Sequence, residues 1–400
     1  MELASGLKQT ELGPLPADWD VLQIKDLKPF VTSGSRGWAA YYAERGAAFI
    51  RISNLSRGCI YPDLDDLRFV NVPAGNSEAE RTQLKDGDVL ISITADIGII
   101  GYVTAEVPKP AYINQHIALL RFDSETTCPQ YVAYFLASER PQKLFRFLTD
   151  AGAKAGMNLT TVQQVRLAVP SEKREQEAIA QALSDADALI ASLERLLAKK
   201  RDIKQGVMQE LLTGKRRLPG FTEGWRVARL GSIAHIKTGT RNNQDQVEGG
   251  QYPFFVRSPT VERINTYSYD CEAILVPGEG NIGKIFHYIN GRFDVHQRVY
   301  AITKFSPEIS GRFVFYYMAE KFGAHALQNS VKATVDSLRL PTFRDFEMVI
   351  PRNKDEQDAI ADVVWDVDAE IAALEQRLAK ARLLKTAMAQ ELLTGRIRLK

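Results

Sequence analysis

The 400-residue chain has few of the residues that build covalent or metal-held scaffolds. Its three cysteines, Cys59, Cys128 and Cys271, lie far apart with no Cys-x-x-Cys spacing. Its five histidines show neither His-x-x-x-His nor His-Glu-x-x-His. A disulfide framework and a cysteine zinc site are thereby excluded, and no metal is expected. Long hydrophobic runs are missing too. Stretches such as AILVP and IGII fall far short of the roughly 20 apolar residues that cross a bilayer. The start MELASGLKQTELGPLPADW has no apolar core for a signal peptide, so a cytoplasmic protein without membrane contact is expected. No charge sign dominates: Lys plus Arg is 51 against 49 for Asp plus Glu, a net of +2. An overall basic field is excluded, and any nucleic-acid contact must come from local patches. Catalytic signatures are absent as well. There is no Gly-x-Ser-x-Gly, no Asn-Pro-Pro-Tyr-type methyltransferase motif and no nuclease-like carboxylate–lysine cluster.

What is present is repetition. With 45% hydrophobic residues the chain can fill real cores, and its length suits two or three domains. Residues 169–218 laid on 350–399 are identical at more than half of the positions, which marks a duplication. Weaker matches precede both copies. Trp19 falls on Trp225, TSGSR (Thr32 to Arg36) on KTGTR (Lys237 to Arg241), FIRIS (Phe49 to Ser53) on FFVRS (Phe254 to Ser258), and DIG (Asp96 to Gly98) on NIG (Asn281 to Gly283). The order is variable domain, repeated helix, variable domain, repeated helix, with segments 1–168, 169–218, 219–349 and 350–400.

Each repeated segment reads as one long helix. A proline (Pro170, Pro351) and an acidic first turn suit the amide-rich, positive N-terminal end. Apolar residues then recur at three- and four-residue spacing: Ile179, Leu183, Ile190, Leu193 and Leu197 in the first, and Ile360, Val364, Ile371, Leu374 and Leu378 in the second. Lys200 and Lys204 interrupt the first seam and Lys385 the second, as markers of register or of a partner-contact zone. Each helix ends at LLTG, where Gly214 and Gly395 can adopt the left-handed cap. Sustained heptads of this kind predict an antiparallel coiled coil within the chain, a rod of about 60 Å. The two halves are cyclically equivalent, so a pseudo-two-fold architecture with neighbouring termini is expected.

The variable segments mix short apolar strands (VLISI, IALLRF, AILVP, RVYAI) with helical stretches near the end of each (PQYVAYFLASERPQKLFRFLTD and SGRFVFYYMAEKFGAHALQNS), which predicts mixed α/β domains. GEGNIGKI (Gly278 to Ile285) matches both Gly-x-Gly-x-x-Gly and Gly-x-x-x-x-Gly-Lys, but its context fits neither nucleotide-binding loop. Ile285 stands where magnesium binding needs Ser or Thr. KIFHYINGRF alternates and turns like a hairpin instead of opening a helix. A glycine-bearing turn between strands is the better reading. His116 and His296, each following a strand, read as structural.

The layout, the paired PxxxxEQ-to-LLTG helices and the LP…W starts resemble the specificity (S) subunit of type I restriction–modification enzymes over essentially the whole chain. NQH (Asn114 to His116) and VHQ (Val295 to Gln297) add to it, although VHQR in the second half departs from INQH in the first. The resemblance implies an α/β protein: two globular mixed α/β target-recognition domains joined by two long helices in an antiparallel coiled coil. It implies that each domain reads one half of a bipartite target in double-stranded DNA. The paired helices would set the spacing and dock two methylation subunits, and restriction subunits would join the full complex. The chain itself would be non-catalytic and hold no cofactor, with S-adenosylmethionine, ATP and magnesium belonging to the partner subunits. A structural coiled-coil adaptor that does not read DNA is the alternative. Base readout favours Arg, Lys, Asn and Gln in loops, and phosphate contacts favour Lys, Arg, Ser and Thr. The candidates are Ser35, Arg36, Arg51 and Lys154 in the first half, and Thr240, Arg241, Asn242, Arg257 and Lys332 in the second.

Overall fold

The computed structural model describes residues 6–34, 36–150, 157–328 and 337–399. The chain forms two units: Met1–Glu194 together with Arg377–Lys400, and Arg195–Gln376. Both are mixed α/β and are built on one plan.

In the first unit, strand Trp19–Gln23 pairs antiparallel with Arg166–Pro170, setting Trp19 opposite Pro170. A four-stranded antiparallel sheet follows in the order Phe30–Ser33, Ile117–Arg121, Val89–Ser92, Ile100–Tyr102. Its inner strands are apolar runs because both faces are covered. Successive side chains point to opposite faces. Val89, Ile91, Ala118 and Leu120 therefore pack with Tyr131, Phe135 and Leu136 of helix Pro129–Ala137. Leu90, Ile117 and Leu119 join Ile50 and Ile113 on the other side. There a second small sheet sets Ala111–Ile113 parallel to Ala47–Ile50.

The second unit repeats this. Trp225–Arg229 pairs with Glu347–Pro351, and Trp225 faces Pro351. The sheet order is His235–Thr238, Val299–Thr303, Tyr269–Pro277, His287–Val295, then Tyr252–Phe255 and Glu262–Ile264. Tyr252–Phe255 runs parallel to the end of His287–Val295. Helix Gly311–Gln328 covers one face through Phe313, Val314, Met318 and Phe322.

The long helices span Lys173–Leu211 and Lys354–Leu392. Both begin later than the sequence suggests. Pro170 and Pro351 close the preceding strands instead of opening the helices. Proline without an N–H is tolerated at such a strand end. Gly214 and Gly395 do take the left-handed cap, at φ of 69° and 66°. Ile179 and Leu183 belong to the domain core of the first unit, and Ile360 and Val364 to that of the second. Leu193, Leu197, Leu374 and Leu378 are buried farther along, with Ile190 and Ile371 half-buried. Within each unit the helix segments pair antiparallel. Asp187 meets Lys385 and Glu194 meets Arg382 in the first, while Asp368 meets Lys204 and Glu375 meets Arg201 in the second. These are the same pairs carried over by the duplication.

The seam lysines are thus engaged inside the protein. Lys385 and Lys204 each bind an aspartate that also accepts a tyrosine hydroxyl: Tyr134 to Asp187 at 2.8 Å and Tyr316 to Asp368 at 2.9 Å. Each ammonium sits about 6 Å from that tyrosine's ring, at 6.0 and 5.8 Å. Burial, with Asp187 beside it, pushes the Tyr134 hydroxyl far above the usual phenol range, so it remains a donor. Lys200 pairs instead with Glu370. Tyr134→Phe is expected to cost about 1.5–3 kcal/mol, the range for a hydrogen bond to a charged group. Urea denaturation of both proteins checks this, and an unchanged midpoint would refute it.

The glutamine of each PxxxxEQ segment staples its domain. Gln176 donates to the Pro170 carbonyl at 3.0 Å and accepts from the Cys128 amide at 2.9 Å. Gln357 does the same with Pro351 and Ser310, both at 2.9 Å.

Candidate nucleic-acid interface

In each unit a glycine lets one loop lie directly on another. The Gly34 amide donates to the Ile117 carbonyl at 3.1 Å, and the Gly239 amide to the Val299 carbonyl at 3.1 Å. A Cβ on Gly34 would sit 2.1 Å from the Asn114 carbonyl oxygen, and one on Gly239 2.0 Å from that of Val295. Only glycine fits such an approach. Gly34 is thereby laid against the segment Asn114–His116 in the first unit, and the chain after Gly239 bonds Val295 and Gln297 beside the segment His296–Arg298 in the second. These segments are equivalent. The Asn114 and His296 amides donate the same backbone bond, to the Ile50 and Phe255 carbonyls. Asn114 Oδ1 accepts from the His116 amide at 3.2 Å, as His296 Nδ1 does from the Arg298 amide at 3.0 Å. Burial, helped by Arg257 and Arg298, lowers the His296 pKa, and the neutral ring can accept through Nδ1. The structural reading of His296 stands.

Several expected contact residues gather here. In the second unit the Arg241 amide and carbonyl bond Val295 and Gln297, and Arg241 Nε donates to the buried Asp294 at 3.1 Å. Arg241 therefore anchors the loop whatever else it does. Asn242 accepts from Gln297 Nε2. The exposed Arg257 reaches Glu279 at 3.4 Å, which also holds Arg298 at 3.1 Å. Thr240 is exposed. In the first unit Arg36 is exposed beside Gly34. Arg51 is not gathered with it: its Nη2 donates to the carbonyl and carboxylate of Asp66 at 2.9 and 3.1 Å, closing a local loop. Ser35, Lys154 and Lys332 lie outside the described residues.

Sequence reasoning did not select Thr94, Gln115, Glu279, Gln297 or Arg298. NQH and VHQ carried part of the signal. The rest depends on strand register, because Glu279 and Arg298 meet only through the neighbouring strands Tyr269–Pro277 and Val299–Thr303. Those strands also correct the hairpin reading. Residues His287–Val295 form one strand through Asn290 and Gly291, and the turn is the glycine-rich loop before it. Among the described residues, no group of three or more His, Cys, Asp or Glu could hold a metal ion, and no helix is long and apolar enough to cross a membrane.

Known proteins share this plan. The family described as type I restriction modification DNA specificity domain matches residues 16–200 and 222–382. The sequence assigned to the MjaX type I restriction enzyme specificity subunit of Methanocaldococcus jannaschii is 24% identical, over 98% of this chain and 97% of its own. The EcoDI specificity subunit of Escherichia coli is 26% identical over 42% of this chain and 37% of its own. The crystal structure of a type I restriction–modification S subunit from M. genitalium has the same fold. It shows a TM-score of 0.69 and 14% identity, covering 98% of both chains. A structure of type I complex assembly gives 0.53 at 15% identity, over 96% of this chain and 99% of that one. The chain belongs to the type I restriction modification DNA specificity family. It is a DNA-sequence-recognition subunit of such a system.

Proposed function

We propose that each unit reads one half of a bipartite target in double-stranded DNA through the glycine-seated loops. One observation carries this: the two units build the same loop frame and dress it with unlike polar side chains. A palindrome reader needs two equal faces, whereas this chain supports an asymmetric target. The long helices would set the gap between half-sites and dock methylation subunits. Leu189, Leu196 and Ile203 recur every seven residues on the first long helix and are 49%, 41% and 40% exposed, an apolar row suited to a partner helix. Restriction subunits would complete the complex. The chain would be non-catalytic and cofactor-free, leaving S-adenosylmethionine, ATP and magnesium to its partners.

Selection from a random duplex pool by the chain, co-expressed with its methylation subunits, tests this reading. An enriched asymmetric motif with a fixed gap is expected. A stable complex that enriches nothing would leave the adaptor reading in its place. Arg36→Ala should weaken binding to all sequences alike and reduce the slope of log affinity against log salt by about 1, as for a lost phosphate contact. An unchanged slope in a salt titration removes Arg36 from the interface.

A further inference from the structure

We propose that positions 94 and 116 in the first unit, and 279 and 298 in the second, are paired specificity determinants. Arg298 and Glu279 would select a G·C base pair in the half-site of the second unit. The inference rests on the DNA-recognition reading above.

The backbone makes the two pairs equivalent. The Ile93 amide donates to the His116 carbonyl at 2.9 Å, and the Gly278 amide to the Arg298 carbonyl at 2.9 Å. The loops that follow share positive φ angles, 61° and 84° at Ala95 and Gly280, then 86° and 65° at Gly98 and Gly283. Thr94 therefore occupies the place of Glu279, and His116 that of Arg298. In both units the two side chains bond each other across the loops: Thr94 with His116 Nδ1, and Glu279 with Arg298. A glutamine precedes the second member in each case. Gln115 Nε2 lies 2.9 Å from His116 Nε2, and Gln297 Nε2 donates to Asn242. The frame and the glutamine are constant; the bonded pair is what differs.

The chemistry of the second pair indicates its target. Two guanidinium groups, Arg257 and Arg298, share the one carboxylate of Glu279. Their side chains are 46% and 58% exposed, and that of Glu279 is 25% exposed. Ion pairs this accessible are weak in water and exchange readily for another partner. A guanidinium fork matches guanine O6 and N7, and a carboxylate accepts from the cytosine N4 amine. The same carboxylate repels thymine O4, so the pair both attracts G·C and penalises its replacement. Thr94 and His116 bring a hydroxyl and an imidazole instead, and so read a different base pair. The glycine-rich loop that mimics a nucleotide motif has the task of presenting Glu279.

The test repeats the duplex selection with Glu279→Thr combined with Arg298→His, which installs the first unit's pair in the second. One half of the motif should lose its G·C preference by roughly 5- to 100-fold, with the other half unchanged. An identical motif from this variant, or loss in both halves, would overturn the inference. Arg298→Lys keeps the charge without the fork and is expected to weaken the same position. It serves as the measurement if the double variant unfolds at lower temperature than the wild type. A wild-type complex that enriches no motif would instead refute the DNA-recognition reading itself.

Discussion

Arg398→Ala is expected to destabilise the first unit by about 3–5 kcal/mol, the range for stripping one partner from a buried ion pair. Arg398 grips both oxygens of Glu175, with Nη2 to Oε2 at 2.7 Å, and both oxygens of Asp18 at 2.8 Å. The Glu175 side chain is only 3% exposed and otherwise accepts a 3.3 Å bond from Trp19 Nε1. Without Arg398 a carboxylate is left desolvated and uncompensated. Glu175→Gln in the same background should recover much of the loss. The equivalent pair, Arg217 with Glu356, predicts the same for the second unit. Urea or thermal unfolding of the single and double variants decides it. No recovery by Glu175→Gln would mean that Arg398 acts only through packing on the Trp19 ring, 5.7 Å away.

Gly239→Ala should remove recognition of one half-site while leaving most of the second unit folded. The added methyl carbon would meet the Val295 carbonyl oxygen at 2.0 Å and that of His296 at 2.7 Å, and backbone cannot swing aside as a side chain can. The loop carrying Thr240, Arg241 and Asn242 must lift from the sheet, and its bonds to Val295 and Gln297 break. Stability falls by about 1–3 kcal/mol, the usual cost of an overpacked site. On the proposed reading the loop then loses several base contacts at about 1–3 kcal/mol each, which lowers specific affinity by at least about 100-fold. Gly224→Ala, whose methyl would meet nothing within 4 Å, is the control. Binding curves on specific and scrambled duplexes measure both. Unchanged specific affinity for Gly239→Ala would detach this loop from recognition.

The duplication made much of the architecture legible. The helices, their glycine caps and the seam follow from residue spacing, and the strands VLISI and AILVP announce themselves as apolar runs. The helix starts were not legible, because a proline and acidic residues suit a strand end followed by a helix as well as a helix itself. Nor was the depth of Ile179 and Ile360: an apolar helical stripe does not say whether a second helix or a sheet-covering helix lies over it. Lys204 and Lys385 looked like interruptions of the seam because their aspartates, Asp368 and Asp187, come from the other long helix. Arg36 and Arg257 could be picked by type and loop context. Glu279 could not, since its meaning comes from two arginines that strand register and loop folding bring to it.

The first unit is stitched from both ends of the chain, and this sets an order of events during synthesis. Residues 195–376 hold every described element of the second unit in one stretch. The first unit needs Lys385 for Asp187, Leu392 and Leu393 for its core, and Arg398 for Glu175. A ribosome moving from the N-terminus delivers the first unit's sheet early and its closing pieces last. The half that is translated first is therefore the half that finishes second, with its buried glutamate waiting for an arginine 223 residues away.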